Sequence, residues 1–284
     1  VISLMGMSND VIPSSVQSSG LTSKPEWSYY VSPISLVFST AVEAVTLYPL
    51  DTCVTRVQTA PSYAHPLSTF NIMRRLSVRS LYSGISPHLL SSMIAILPRT
   101  LAAYNVDHGG DITYLATCGA AFGAVEGALI TPFEAVKIPM QISVTGIPWS
   151  QVFQHYGQLN KLFIGVVPTM LRQSTYGAVT FLSVGLLDKY RSPEERQSGP
   201  GIVLFGCTAG AIAAIAGSPF DVIKARVQSG LHYPSKLPSR REIFRGLSCR
   251  LWRVTLGTGV FLIAYDEFQR YISPRLNRGH SCSV

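Results

Sequence analysis

Charge is scarce in this chain, and acids are the scarcer sign. Only 13% of its 284 residues are Asp, Glu, Lys or Arg, against 47% apolar residues. A soluble chain of this length divides into about two domains. So little charge, with a positive mean hydropathy, points instead to a membrane. The 15 acids face 23 Lys and Arg, a net +8 that suits an anionic lipid surface or anionic solutes. Nucleic acid is set aside, because no dense basic patch is interleaved with aromatics. The five cysteines (Cys53, Cys118, Cys207, Cys249, Cys282) lack metal-ligand spacing and read as small apolar fillers. The six histidines are scattered, and there is no Ser-His-Asp set and no Gly-rich phosphate loop. An enzyme, metal or cofactor reading has nothing to stand on. No cleavable secretory signal is apparent. Residues 1–26 are rich in Ser and Gly and are expected to be disordered. They hold few basic residues, which makes a poor mitochondrial presequence. The first residue is Val1, which leaves room for a natural N-terminus upstream.

What the chain does have is repetition. Tyr48-Pro49-Leu50-Asp51 leads to Gln58, Thr131-Pro132-Phe133-Glu134 to Gln141, and Ser218-Pro219-Phe220-Asp221 to Gln228. In each copy an acid stands two residues after the proline and a glutamine seven after the acid. Lys137 and Lys224 stand three after their acids, where the first copy has Val54. Each copy is followed by an aromatic-x-Gly: Tyr82-Ser83-Gly84, Phe163-Ile164-Gly165 and Phe244-Arg245-Gly246. The prolines are 83 and 87 residues apart and the glycines 81 and 81. Such regularity means one supersecondary unit used three times.

Every proline follows a long apolar run, so it is expected to kink a membrane helix rather than end a soluble one. Acid and lysine three apart lie on nearly the same helix face. Ionisable groups at that depth are costly in lipid, so they turn towards a shared polar centre. Three such helices can close a ring in which the acid of one repeat meets the base of the next. That ring would be a gate.

Six helical spans are expected: 27–58, 85–106, 112–141, 166–188, 201–220 extended past its proline, and 247–271. They divide into repeats 27–110, 111–198 and 199–272, with a frayed tail at 273–284. Helices are required because a span must satisfy its own backbone. A short interfacial helix is expected over 68–78, with Arg74, Arg75 and Arg79. Those arginines, with Lys161, Lys236, Arg240, Arg241 and Arg245, follow the odd spans, so these connections share one compartment. Gly119-x-x-x-Gly123, Gly206-x-x-x-Gly210 and Ser35-x-x-x-Ser39 read as close-packing faces. Glu43 and Glu126 stand at the same offset before Pro49 and Pro132, where repeat three has Ala213. A role for these acids in substrate or proton handling and one in helix–helix bonding both stand.

These repeats resemble the signature of the mitochondrial carrier family, Pro-x-Asp/Glu-x-x-Lys/Arg-x-Lys/Arg-x-Gln followed by aromatic-x-Gly, from about Trp27 to Ile272. Val54 and Pro139 depart from it. The resemblance implies an all-α membrane protein of three two-helix repeats around a water-filled cavity, with short matrix-side helices and alternating access to one central site. It implies small-molecule substrates, an anionic lipid partner such as cardiolipin, a functional monomer and the mitochondrial inner membrane, with a peroxisomal or other organelle membrane as the alternative. Pro49, Pro132 and Pro219 would be the kinks. Asp51, Glu134, Lys137, Asp221 and Lys224 would form the matrix gate. Gln58, Gln141 and Gln228 would brace its ion pairs.

In that family the contact points lie seven residues after each landmark glycine: Ser91, Arg172 and Arg253 here. An arginine grips a carboxylate with two parallel hydrogen bonds. The other reading of these arginines is pairing with Glu43 or Glu126, or snorkelling to an interface. Gly165 to Gln173 is similar to the fourth helix of tricarboxylate and succinate–fumarate carriers, with Arg172-Gln173 at the contact point. Gly246 to Arg253 resembles the sixth helix of tricarboxylate carriers and adds Arg250 one turn below Arg253. Pro98-Arg99 resembles their Pro-Lys pair but lies about four residues late. The implied activity is exchange of organic di- or tricarboxylates. The alternatives are an amino-acid carrier or a non-transporting receptor or scaffold. For the family's cytoplasmic gate only Tyr265-Asp266 with Gln269, Tyr104-Asn105 with His108, and Val184-Gly185 with Asp188 are found, so it reads as largely dismantled. Val54 leaves Asp221 without its partner, and hydration or Arg56 is expected to serve it.

Overall fold

The computed structural model describes residues 27–59, 73–105, 111–143, 147–156, 159–190, 199–229 and 240–280. The expected disordered segment 1–26, the start of the interfacial helix, His108, Lys236 and Cys282 lie outside the described residues, as do the side chains of Tyr104, Asn105, Val184, Asp188, Asp266 and Gln269. Among the described residues every regular element is helical: α1 Trp27–Thr59, α2 Val78–Leu81, α3 Ile85–Asn105, α4 Ile112–Ile142, α5 Trp149–Tyr156, a 3-10 turn Leu159–Phe163, α6 Val166–Tyr190, α7 Gly199–Gln228, α8 Arg240–Ile243 and α9 Leu247–His280.

A helix needs about 20 residues to cross the hydrocarbon core, and α1, α3, α4, α6, α7 and α9 all reach that length. Among the described residues, five helical stretches are also apolar enough to span: 34–59, 78–102, 112–142, 206–228 and 247–265. The sixth long helix, α6, carries Arg172, Gln173, Ser174 and Thr175 in its first half. α1, α4 and α7 run unbroken through Pro49, Pro132 and Pro219, so the prolines do not end these helices. α9 corrects one expectation, since its backbone stays helical through Pro274 to His280 rather than fraying after Tyr271. A proline removes a single backbone hydrogen bond, and a helix whose other bonds hold can continue past it.

The long helices form a closed ring: α1 packs on α3, α3 on α4, α4 on α6, α6 on α7, α7 on α9, and α9 back on α1. The odd members α1, α4 and α7 also touch one another. Leu97, Leu204, Ile212, Trp252 and Ile263 face outward, whereas Glu126, Asp221 and Lys224 are buried. Apolar outside and ionised inside is the distribution of a bundle bathed in lipid around a polar centre.

Repeat two is drawn tightest. A Cβ on Gly119 would collide with the Gly177 carbonyl, and one on Gly123 with the Gln173 carbonyl. Absent side chains thus let α4 and α6 meet backbone to backbone. Gly206 and Gly210 face Thr258 and Val254 of α9. Ser35 and Ser39 are fully buried, with Ser39 Oγ donating to the Ser35 carbonyl.

The landmark glycines start the even helices. Gly84, Gly165 and Gly246 have φ of 83°, 77° and 80°, a left-handed conformation that a side chain disfavours. Each also sits against the end of the odd helix of the following repeat: Gly84 on Met140, Gly165 on Gln228, and Gly246 on Val57 and Gln58. The three repeats are sewn together at this end of the bundle.

Candidate functional site

The ion pairs form one turn above those glycines. Lys137 Nζ of α4 donates to Asp51 Oδ2 of α1 at 3.0 Å, and Lys224 of α7 pairs with Glu134 of α4. Both unions join neighbouring repeats, as the spacing predicts. His88 stands within the first, with Nδ1 3.0 Å from Lys137 Nζ and Nε2 3.4 Å from Asp51 Oδ2. His88 was not singled out in the sequence. It lies four residues after Gly84, as Thr169 follows Gly165 and Arg250 follows Gly246, so the repeat register could have found it.

The third union differs from expectation. Asp221 is 5% exposed, and it is served by Arg250 of α9 and by Arg172 Nε of α6 at 3.6 Å. Arg56, the cation expected there, is engaged elsewhere. Arg56 Nε donates to the Gln141 carbonyl at 2.8 Å, and its Nη2 to Ser80 Oγ and the Ser143 carbonyl. A buried carboxylate needs a counter-charge, and the even helices supply it.

The glutamines do not brace the ion pairs. Gln141 Oε1 accepts from Thr55 Oγ1 at 2.8 Å, and Gln228 Nε2 donates to the Ile164 carbonyl at 3.2 Å. Gln58 is buried beneath Gly246. These side chains seal the seams between repeats instead.

Arg172 Nη2 donates to Glu134 Oε1 at 3.2 Å. Arg253 Nε forms an ion pair with Asp51 Oδ1 at 2.8 Å, and its Nη1 lies 3.7 Å from Glu43 Oε1. Both candidate anion ligands are therefore engaged with carboxylates. The pairing reading holds for Arg253 and Glu43, while Glu126 takes a different partner. Arg99 grips Glu126 with two bonds, Nε to Oε2 at 3.0 Å and Nη2 to Oε1 at 2.6 Å, and Gln173 also contacts Glu126 Oε1. Arg250 donates from Nε and Nη2 to Tyr176 Oη at 3.0 and 2.8 Å. Ser91 Oγ is turned back on the His88 carbonyl at 2.8 Å.

Together these residues line a cavity of about 290 Å³ that includes Ser91, Arg99, Lys137, Arg172, Gln173, Lys224, Arg250 and Arg253. A second cavity of about 250 Å³ adjoins it, sharing Glu43, Arg99, Glu126, Gln173, Tyr176 and Arg253 and reaching Phe181 and Phe261. At the floor, Lys137, Lys224, Arg172, Arg250 and Arg253 stand against Asp51, Glu134 and Asp221. Above them Arg99 stands against Glu43 and Glu126.

A ring of membrane-length helices in three repeats, joined by ion pairs across a polar cavity, is built as a solute transporter. A sequence model of the mitochondrial carrier protein family matches residues 27–100, 110–193 and 200–276, and the chain belongs to that family. It is 27% identical over 276 residues to a mitochondrial substrate carrier family protein of Dictyostelium discoideum, covering 84% of this chain and 90% of that one. It is 25% identical over 276 residues to a mitochondrial citrate transporter of Aspergillus niger, covering 87% and 94%. A mitochondrial aspartate–glutamate transporter of Saccharomyces cerevisiae is 26% identical over 277 residues, covering 81% of this chain and 30% of the relative.

Proposed function

We propose that the protein exchanges organic di- or tricarboxylates across the mitochondrial inner membrane by alternating access, as a monomer among anionic lipids. The observation that carries this reading is the floor of the cavity, where five cations face three carboxylates. Three of the five are guanidinium groups, suited to planar two-point recognition of a carboxylate. On this reading the ion pairs Asp51–Lys137, Glu134–Lys224 and Asp221–Arg250 are a gate closed at the landmark-glycine end, which the family pattern assigns to the matrix. Arg172-Gln173 and Arg250/Arg253 favour carboxylates over nucleotides.

A second reading is an amino-acid carrier. Glu43 and Glu126 line the same cavity, and Glu43 has its ion-pair partner only at 3.7 Å, so that carboxylate could receive an ammonium group. A thermal-shift screen of the detergent-solubilised protein distinguishes the two, because a ligand that binds only the folded state raises apparent stability. Citrate, succinate or oxoglutarate should raise the melting temperature. Stabilisation by amino acids alone, or by ATP and ADP alone, would overturn the carboxylate assignment.

A further inference from the structure

The third gate position is where this chain departs from its own repeat. Val54 stands where the other two repeats have lysine and lines the cavity floor, yet Asp221 is more deeply buried than Asp51, Glu134 or Lys137. The guanidinium of Arg250 reaches it from α9, within the same repeat. Arg250 is held from the other side by Tyr176 of α6, through two hydrogen bonds and a ring centroid 5.3 Å away. The seam between repeats three and one is crossed instead by the Arg253–Asp51 ion pair at 2.8 Å.

We propose that Arg250 is the third gate cation of this protein, and that Asp221 and the transported anion compete for it. Each edge of the Arg250 fork has a partner: Nε and Nη2 face Tyr176, and Nη1 faces Asp221. An anion entering the cavity gains Arg250 only by displacing one of them. Displacing Asp221 strips a buried carboxylate of its closest counter-charge, which is unfavourable while the gate stays dry. Anion binding and gate opening are then one event at this position. The other two carboxylates keep lysines three residues after the acid of the neighbouring repeat. The competition rests on the anion-carrier reading, whereas the pairing of Arg250 with Asp221 does not.

The test is a double-mutant cycle on melting temperature in detergent without substrate, using Val54→Lys, Arg250→Ala and their combination. Arg250→Ala should lower the melting temperature by several degrees. Val54→Lys should change the wild type little and restore most of the loss in the Arg250→Ala background, by returning a cation to Asp221. Equal shifts from Val54→Lys in both backgrounds would overturn the pairing. Asp221→Asn gives an independent check, since it should stabilise Arg250→Ala and destabilise the wild type, and the opposite signs would refute it. In liposomes the restored double variant should still take up carboxylate at least tenfold less efficiently. Wild-type uptake by that variant would overturn the competition. A wild-type protein that takes up no carboxylate would contradict the anion reading, and with it the competition, while the pairing is decided by the melting temperatures.

Discussion

Arg253 of α9 lies 2.8 Å from Asp51 of α1, the same carboxylate that holds Lys137 at 3.0 Å. A candidate anion ligand is thus paired with a carboxylate of the proposed gate. Removing the acid's charge should free the arginine. Asp51→Asn is expected to raise carboxylate affinity roughly tenfold or more, since a hydrogen bond to a charged group contributes about 1.5 to 3 kcal/mol. The same variant should melt at a lower temperature, because Lys137 loses its partner as well. Ligand-induced thermal shifts and the melting temperature of the free protein measure the two effects together.

Glycine at position 123 is a matter of space. A Cβ there would collide with the backbone of Gln173 and Ser174, so Gly123→Ala must push α4 from α6. Overpacking of this kind costs about 1 to 3 kcal/mol. Gly259 provides the control, since nothing lies within 4 Å of a Cβ at that site. Thermal unfolding should show Gly123→Ala clearly destabilised and Gly259→Ala unchanged or slightly stabilised, as expected when glycine leaves a helix interior.

The Arg99–Glu126 pair, bonded at two points in the cavity wall, should behave as a unit. Either single change, Arg99→Met or Glu126→Gln, leaves a charge without its partner and should lower the melting temperature. The combined variant should recover much of that loss, because it leaves neither charge orphaned. Strictly additive losses would mean that the two side chains act independently.

The ion-paired carboxylates and lysines were legible because a membrane leaves few places for ionised side chains, so a threefold spacing of proline, acid and glutamine carries nearly the whole architecture. The partners of the arginines were not. Asp221 could be reached by several cations, and which one arrives depends on the approach of α9 and α6 rather than on spacing along α7. Gly177 was overlooked for a related reason: a single glycine has no periodicity, and its role appears only when α4 lies against it. His88 was hidden because histidine, threonine and arginine at one repeat position share no composition. The glutamines were assigned to the ion pairs from the family pattern, but Gln141 bonds to Thr55 and Gln228 to the Ile164 carbonyl. The reach of α9 beyond Pro274 was missed because residues 273–284 were expected to fray.

The account turns on Arg253 meeting substrate at the cavity floor. Purified protein in liposomes loaded with citrate, succinate or oxoglutarate should take up labelled carboxylate, and Arg253→Ala should reduce uptake efficiency roughly thirtyfold or more, corresponding to about 2 to 4 kcal/mol of lost charge-assisted contact. Arg253→Lys should recover only part of it, because an ammonium group cannot make the planar fork. Undiminished carboxylate uptake by Arg253→Ala would contradict the anion site.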